Sequence, residues 1–139
     1  MKTKVIACDV YGTILATDDP ENAMPPRKGF LAFVANCRKN GITIVTTSDN
    51  DLTLTKIDLE ESGVCLSSFD HFFQMKRGLP KNFQVVLDFF GIRAEQLLVI
   101  GDRSDLDISP AQQIGCQVKE VPEYEGYGDQ FDWQEIKIT

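Results

Sequence analysis

Short apolar runs alternate along the chain with segments whose apolar residues recur every three to four positions. The runs predict strands, and the amphipathic segments predict helices. The predicted strands span residues 4–9, 42–46, 71–74, 97–101 and 117–121. The predicted helices span residues 27–40, 48–62, 80–90 and 108–114. Because strands and helices alternate, the pattern predicts a parallel sheet with helices on both faces.

Turn and capping residues define the predicted ends of these helices. Gly41 ends the first helix and Gly91 ends the third. Pro80 opens the third helix at the first helical position, which proline favours. Three short polar side chains suit the N-cap position of the second helix: Ser48, Asp49 and Asn50. Residues 17–26 are polar and proline-rich, which predicts a loop.

Length and charge limit the classes of protein to which the chain can belong. Its 139 residues, 42% of them hydrophobic, suit one domain that spans residues 1–139. The sequence has 14 basic and 21 acidic residues, which gives a net charge of −7. This charge argues against nucleic acid and anionic membranes as partners, because binding to either needs clustered basic side chains.

The cysteines and the start of the chain predict a cytoplasmic location. The four cysteines form neither a C-x-x-C pair nor a zinc pattern, so we expect buried thiols in a reducing compartment. They are Cys8, Cys37, Cys65 and Cys116. The N-terminus enters a strand without a signal peptide, and no apolar run is long enough to span a bilayer.

Two aspartates follow buried strands directly. Asp9 comes after Val5–Cys8, and Asp102 comes after Leu98–Gly101. Because open α/β sheets bind ligands at the carboxyl ends of their strands, we expect both side chains to reach a ligand. Two such carboxylates indicate a metal site or a nucleophile next to a metal.

Four motifs in chain order resemble those of the haloacid dehalogenase-like hydrolases. The matching residues are Asp9–Thr13, Ile44–Thr46, the third-helix positions Pro80, Phe83 and Gly91, and Val99–Asp102 with Asp107. Together they cover nearly the whole chain. The resemblance implies a Rossmann-like three-layer α/β/α sandwich with a mostly parallel five-stranded sheet and no cap domain.

The resemblance also implies roles for the residues of the first two motifs. Asp9 would attack phosphorus and form an aspartyl-phosphate. Gly12 would permit the tight turn that presents Asp9 to the substrate. Thr46 would donate a hydrogen bond to a phosphoryl oxygen. Thr47 and Ser48 are alternatives for this hydroxyl, because the alignment can shift by one or two residues.

The third motif requires a cation between the nucleophile and the phosphoryl group. The family spacing favours Arg77, and Lys76 is adjacent to it. Lys81 is the alternative, in the first turn of the predicted third helix. Of these three residues, Arg77 is preferred slightly over Lys81.

The fourth motif implies a Mg²⁺ site. Asp102 would coordinate the ion together with Asp9 and the backbone carbonyl of Tyr11, since Mg²⁺ prefers oxygen ligands. Asp107 would act beside them, and Asp105 is an alternative to it.

Tyr11 is the main departure from the family pattern. Phosphatases of this family usually have a second Asp at that position, which acts as general acid and then as general base. Tyrosine has a reference pKa of about 10, so it can donate a proton but is a poor base at neutral pH. Its backbone carbonyl still suits the metal. Thr13, two residues later, is expected only to close the turn.

The resemblance therefore implies an Mg²⁺-dependent phosphatase or phosphotransferase with weak turnover of an unknown small phosphomonoester. A homo-oligomer or the loop at 14–26 is expected to cover the open site. One alternative is a noncatalytic phosphate-, metal- or partner-binding protein on the same scaffold. A second is a 2-haloacid dehalogenase, because those enzymes also have Tyr at this position. The aromatic residues near the C-terminus are predicted to pack on the sheet edge, or else to form a lid or a dimer contact.

Overall fold

The structure is a computed structural model that describes residues 2–17 and 24–138. Its strands are β1 Val5–Cys8, β2 Thr43–Thr46, β3 His71–Phe72, β4 Leu97–Gly101 and β5 Gln117–Glu120. Its α-helices are α1 Phe30–Lys39, α2 Leu52–Glu61, α3 Gln84–Phe90 and α4 Ser109–Gln113. A π-helical turn, Ser104–Ile108, leads directly into α4. Short 3₁₀ turns lie at Leu66–Ser68, Ala94–Gln96 and Trp133–Glu135.

The five strands form a parallel sheet in the order β3-β2-β1-β4-β5. In the centre of this sheet, Cys8 of β1 is in register with Thr46 of β2 and with Ile100 of β4. The carboxyl ends of the three central strands therefore meet at one edge. This arrangement confirms the predicted parallel α/β sheet, and it brings the strand-end residues of the sequence motifs together.

Side chains that alternate along β1 contribute to two separate cores. Ile6 and Cys8 pack in a core with residues of α1 and α2. Val5 and Ala7 pack in the other core, with residues of α3 and α4. Burial on both faces explains why the central strands are continuous apolar runs rather than alternating ones. The predicted three-layer sandwich is confirmed.

The starts of the first two helices differ from the predictions. Helix α1 begins at Phe30 rather than at residue 27. The N-cap of α2 is Asp51, whose carboxylate accepts a hydrogen bond from the Leu54 N–H at 3.0 Å. Ser48, Asp49 and Asn50 were wrong as caps, because the residues after β2 first form a turn in which the Ser48 hydroxyl accepts from the Asn50 N–H.

The prediction that Pro80 opens a helix is also wrong. Helix α3 begins at Gln84, and residues 80–82 have no regular structure. The Lys81 N–H donates to the Leu106 carbonyl at 3.0 Å, so the chain is held against the neighbouring loop before the helix begins. The predicted end at Gly91 is confirmed, and this glycine has the left-handed conformation, with φ of 62°.

The connections near the site contain no separate cap within residues 2–17 and 24–138. The described residues between β1 and α1 are irregular, and the segment between β2 and β3 holds only α2 and one 3₁₀ turn. Of the predicted loop at 17–26, residues 18–23 lie outside the described residues.

Burial of the cysteines and of the C-terminal aromatic residues follows the predictions only in part. Cys8, Cys37 and Cys116 are buried free thiols, but Cys65 is exposed, so the expectation was wrong there. Phe131 and Trp133 are buried in the core on the α1 side of the sheet. None of the helices in the described part of the chain has both the length and the apolar character needed to cross a membrane.

Candidate active site

Three carboxylates meet at the carboxyl end of the sheet. Asp9 follows β1, and its N–H still donates to the Ile100 carbonyl of β4 at 3.0 Å. Asp102 follows β4, and Asp107 lies in the π-helical turn after it. One carboxylate oxygen from each of the three lies within 4.8 Å of the others. The structure therefore brings together the three aspartates that sequence reasoning assigned to a metal site.

Two glycines leave room for these carboxylates. A Cβ atom on Gly12 would lie 2.5 Å from Oδ2 of Asp102, and one on Gly101 would lie 2.4 Å from Oδ2 of Asp107. Gly12 also has φ of 83°, a conformation that other residues rarely adopt. Gly12 thus makes the turn, as expected, and it also clears space for a carboxylate.

Lys81 provides the cation of the cluster. Its ammonium group lies 2.9 Å from Oδ1 of Asp9 and 2.6 Å from Oδ1 of Asp107, and the residue is only 6% exposed. Arg77 and Lys76 are exposed, and neither is in an ion pair within the ranges that the structure describes. The preference for Arg77 over Lys81 is therefore not supported by the geometry.

Burial and mutual repulsion change the acidity of the site. Burial raises the pKa of Asp102 to about 7, and its hydrogen bond with Asp9 and the charges of Asp9 and Asp107 add to the shift. Burial also raises the pKa of Asp107 to about 6, together with the charge of Asp9 and against the attraction of Lys81. Burial tends to lower the pKa of Lys81, but Asp9 and Asp107 outweigh it and raise that pKa above its usual value.

The donor set fits a hard divalent cation. All three side chains offer oxygen atoms, which Mg²⁺ prefers. Lys81 neutralises only part of their charge. Burial first, and then Asp9 and Asp107, raise the pKa of Asp102, and too little positive charge lies nearby to offset these effects. A bound cation would supply that charge.

Thr13 has a contact that sequence reasoning missed. Its buried hydroxyl lies 3.4 Å from Oδ2 of Asp9 and 3.2 Å from Oδ1 of Asp102. The prediction was only that Thr13 closes the turn. The sequence signal for this contact is that Thr13 follows Gly12 in the turn after β1, because a turn at the end of a strand directs its polar groups to the same edge of the sheet.

The Tyr11 side chain is engaged by α2. Its hydroxyl donates a short hydrogen bond to Oδ2 of Asp58. Burial, followed by this hydrogen bond, raises the pKa of Tyr11 above its usual range. A higher pKa makes the phenol a weaker acid, so Tyr11 is poorly suited to replace the missing Asp in proton transfer. The local sequence gave no sign that Asp58 would be its partner.

The three candidate hydroxyls of the second motif differ in their partners. The Thr46 hydroxyl is fully buried and has no hydrogen-bond partner among residues 2–17 and 24–138. The Thr47 hydroxyl lies 3.5 Å from the Cys8 carbonyl, and the Ser48 hydroxyl accepts from the Asn50 N–H. Of the three, Thr46 is the one whose hydroxyl has no hydrogen-bond partner among the described residues.

The cluster opens into a cleft of about 210 Å³. Asp9, Tyr11, Lys81, Asp102 and Asp107 line it, together with the surrounding residues Thr17, Asp49, Arg103, Leu106 and Glu123. A cleft of this size and polarity suits a small charged group held against the nucleophile candidate.

The fold agrees with a family-level comparison. The model of the haloacid dehalogenase-like hydrolases matches residues 20–115, which is more than half of the chain. This chain belongs to that hydrolase family. The matched range includes Lys81, Asp102 and Asp107, whereas Asp9 lies before it and is placed beside them by the parallel sheet. Among curated proteins, no sequence match to the chain is found.

Solved structures share the fold with this chain at low sequence identity. A haloacid dehalogenase-like family hydrolase from Xanthomonas campestris is 13% identical, with a TM-score of 0.75 and coverage of 87% of this chain and 82% of that one. A predicted phosphoglycolate phosphatase from Haemophilus somnus is 15% identical, with a TM-score of 0.70 and coverage of 93% and 89%. The N-terminal part of BF1531 from Bacteroides fragilis, which contains a phosphatase domain complexed with Mg, is 19% identical, with a TM-score of 0.71 and coverage of 90% and 38%.

Proposed function

We propose that this protein is an Mg²⁺-dependent phosphatase that acts on a small phosphomonoester through an aspartyl-phosphate on Asp9. The observation that carries the proposal is the pairing of Asp9 with the buried Lys81 beside Asp102 and Asp107. A carboxylate held by a cation at the mouth of a strand-end cleft is suited to attack phosphorus. The phosphatase activity and the Mg named for solved proteins of the same fold add support.

The chemistry assigned to the chain has two steps. In the first, a carboxylate oxygen of Asp9 bonds to phosphorus as the ester P–O bond breaks, and the leaving oxygen takes up a proton. In the second, water attacks phosphorus, loses a proton, and displaces Asp9 as a free carboxylate. Splitting one displacement into two in this way is the usual gain from a covalent nucleophile.

Other residues of the cleft support the reacting groups. Lys81 offsets the negative charge of Asp9 and of the approaching phosphoryl group. The free hydroxyl of Thr46 is our candidate donor to a phosphoryl oxygen. Asp9, Asp102, Asp107 and the carbonyl of Tyr11 would hold Mg²⁺, which when bound neutralises charge on the phosphoryl oxygens.

Proton transfer is the weak part of this site. The hydroxyl of Tyr11 is directed to Asp58, and its pKa is raised, so it is a poor source and a poor acceptor of the proton. Losing one general acid or base typically costs about 10²–10⁴-fold in rate. We therefore propose slow hydrolysis, with water supplying or accepting the proton.

The contact of Tyr11 with Asp58, which leaves the site without a good proton donor, favours a second candidate. This candidate is a noncatalytic phosphate- or metal-binding protein on the enzyme scaffold. In that case the site would bind Mg²⁺ and a phosphate group without turnover. The two candidates share every ligand and differ only in whether Asp9 forms a covalent bond.

Turnover of 4-nitrophenyl phosphate separates the two candidates. We expect hydrolysis that needs Mg²⁺ and that falls by several orders of magnitude in Asp9→Asn, which keeps the side-chain shape but removes the attacking charge. Beryllium fluoride, which mimics an aspartyl-phosphate, should bind the wild type and not the variant. Equal low rates in both proteins would reject the phosphatase and favour the noncatalytic candidate. A 2-haloacid is tested in parallel, and release of halide from it would favour the dehalogenase alternative.

Three further features belong to this proposal. We propose that residues 1–139 act as one domain, in the cytoplasm, where the free thiols would remain reduced. We also propose that a second copy of the chain covers the open cleft when substrate binds.

A further inference from the structure

The segment after β5 folds back over the loop that carries the nucleophile candidate. We call residues 121–136 the C-terminal strap. The Tyr124 N–H donates to the Gly12 carbonyl at 2.7 Å, and the Thr17 N–H donates to the Tyr124 carbonyl at 2.9 Å. The indole N–H of Trp133 donates to the Thr13 carbonyl at 3.1 Å. The strap thus bonds to two consecutive carbonyl groups of the loop, at Gly12 and Thr13.

The position of the Trp133 indole is determined by the core. Trp133 is fully buried, and its ring centroid lies 4.9 Å from those of both Phe30 and Phe33. Its backbone N–H donates to the Lys28 carbonyl at 2.9 Å. A buried indole N–H without a partner would be costly, so this ring has to engage an acceptor. That acceptor belongs to the active-site loop.

Arg27 holds the outer part of the strap in place. Its buried guanidinium donates to both carboxylate oxygens of Asp129, at 2.7 and 3.0 Å. The same group stacks over the Phe131 ring at 4.6 Å and over the Tyr124 ring at 5.4 Å. Because Arg27 holds the strap in place, the strap can hold the loop at Gly12 and Thr13 in one position.

We infer that Trp133 is a positioning residue of the active site. Its N–H holds the Thr13 carbonyl, and the Thr13 hydroxyl then lies between Asp9 and Asp102. The strap acts on the carboxylates through Thr13 and does not touch the substrate. The kinetic part of this inference depends on the proposed phosphatase activity, whereas the metal-binding part does not.

Trp133→Phe tests the inference, because it keeps an aromatic ring in the core but removes the N–H. Phe33→Leu is the matched control: it loosens the packing on the same indole and has no polar group to lose. We expect Trp133→Phe to lower kcat about tenfold with 4-nitrophenyl phosphate, since small misplacements of reacting groups have large effects. Its Mg²⁺ affinity, measured by calorimetry without substrate, should fall several-fold. Phe33→Leu should lower Tm and leave kcat and Mg²⁺ affinity within about twofold.

A double-mutant cycle separates positioning from general packing. In a Thr13→Ala background the hydroxyl is already lost, so adding Trp133→Phe should lower kcat and Mg²⁺ affinity by less than about twofold. Equal losses from Trp133→Phe with and without the Thr13 hydroxyl would overturn the inference. So would losses from Phe33→Leu that match those from Trp133→Phe at the same fall in Tm.

A fluorescence measurement keeps the test valid if Trp133→Phe fails to fold. The chain has one tryptophan, so its emission reports on this contact. Mg²⁺ alone should change the emission of the wild type, because it would bind the carboxylates that the Thr13 hydroxyl contacts. An unchanged wild-type spectrum in a sample that binds Mg²⁺ by calorimetry would overturn the inference. If the wild type lacks Asp9-dependent turnover, the phosphatase proposal fails. The response of the Trp133 emission to Mg²⁺ then still decides the role of Trp133, and so does the calorimetric comparison with Trp133→Phe when that variant folds.

Discussion

The ammonium group of Lys81 lies between the carboxylates of Asp9 and Asp107. Removing this positive charge should strongly destabilise the folded protein. Removing one member of a buried ion pair leaves a charge without compensation. Here the removal of Lys81 would leave both Asp9 and Asp107 uncompensated, and it would also remove positive charge from the place where a phosphoryl group would approach.

Replacing this lysine should abolish most activity. We expect Lys81→Met to reduce kcat/KM by about 10²–10³-fold, the usual effect of losing one charge-stabilising donor. Arg77→Met is the control, and because Arg77 is exposed it should change kcat/KM by less than about twofold. Steady-state hydrolysis of 4-nitrophenyl phosphate by both variants, after their fold is checked by circular dichroism, measures this. A larger loss in Arg77→Met than in Lys81→Met would reinstate Arg77 as the third-motif cation.

Tyr11 is the residue at which the chain departs from the usual phosphatase pattern. We expect Tyr11→Asp to raise turnover about tenfold or more, because a carboxylate can act as both acid and base near neutral pH. In Tyr11→Asp the new carboxylate would face that of Asp58. Adding Asp58→Asn removes this repulsion, so the double variant should be more active than Tyr11→Asp alone. Tyr11→Phe should change turnover little, since the lost hydroxyl points to Asp58. A large loss in Tyr11→Phe would instead identify the phenol as the acid.

At the scale of elements, the end of β4 and the π-helical turn after it determine where the second and third carboxylates lie. The strand brings Asp102 next to Asp9, and the turn brings Asp107 back over Gly101. The turn is held by the Asp107 N–H, which donates to the Arg103 carbonyl at 2.9 Å. The metal site therefore depends on the close approach of the Asp107 side chain to the backbone of Gly101.

Gly101→Ala should disturb this approach. The added Cβ would lie 2.4 Å from Oδ2 of Asp107, so the carboxylate or the turn has to move. We expect Mg²⁺ affinity to fall about tenfold, with a decrease in Tm, because overpacking typically costs about 1–3 kcal/mol. Calorimetric titration with Mg²⁺ measures the first effect and thermal unfolding the second. Binding as tight as in the wild type would mean that Asp107 is not needed for the ion.

For the whole molecule, the acidic cluster links stability to pH and to metal. The pKa of Asp102 is about 7 in the folded protein, far above its usual value in an unfolded chain. Between about pH 4 and pH 7 the folded state therefore keeps a proton that the unfolded state has lost, so stability falls as pH rises through this range. Bound Mg²⁺ would oppose the fall, because it favours the ionised carboxylates.

Asp102→Asn should remove the part of this linkage that comes from Asp102 and leave the part that comes from Asp107, whose pKa is also raised. We expect the variant to gain stability relative to the wild type as pH rises from about 5 to about 7.5 in the absence of metal, since residue 102 no longer has a carboxylate to ionise. Mg²⁺ should raise the Tm of the wild type at the higher pH and leave that of the variant nearly unchanged. Thermal unfolding at both pH values, with Mg²⁺ or with a chelator, measures this. A stability difference that does not vary with pH would refute the raised pKa.

The sequence by itself determined the kinds of elements, their order and the edge of the sheet that carries the site. Apolar periodicity is local, so it predicted β4 at residues 97–101, where the structure has it, and it placed Asp9 and Asp102 directly after predicted strands. That these two strands are neighbours is a result of the tertiary structure. The helix starts were less predictable. Several residues near each start can cap a helix, and a tertiary contact, such as the one between Lys81 and Leu106, decides which of them does.

Only the tertiary structure decided which side chains reach the carboxylates. Arg77 and Lys81 are four positions apart and both carry a positive charge, and the path of the chain buries Lys81 and leaves Arg77 exposed. Tyr11 meets Asp58 across 47 residues, and Trp133 meets Thr13 across 120 residues. No local pattern specifies such pairs, because each depends on where packed helices bring a single polar atom within hydrogen-bond distance of another.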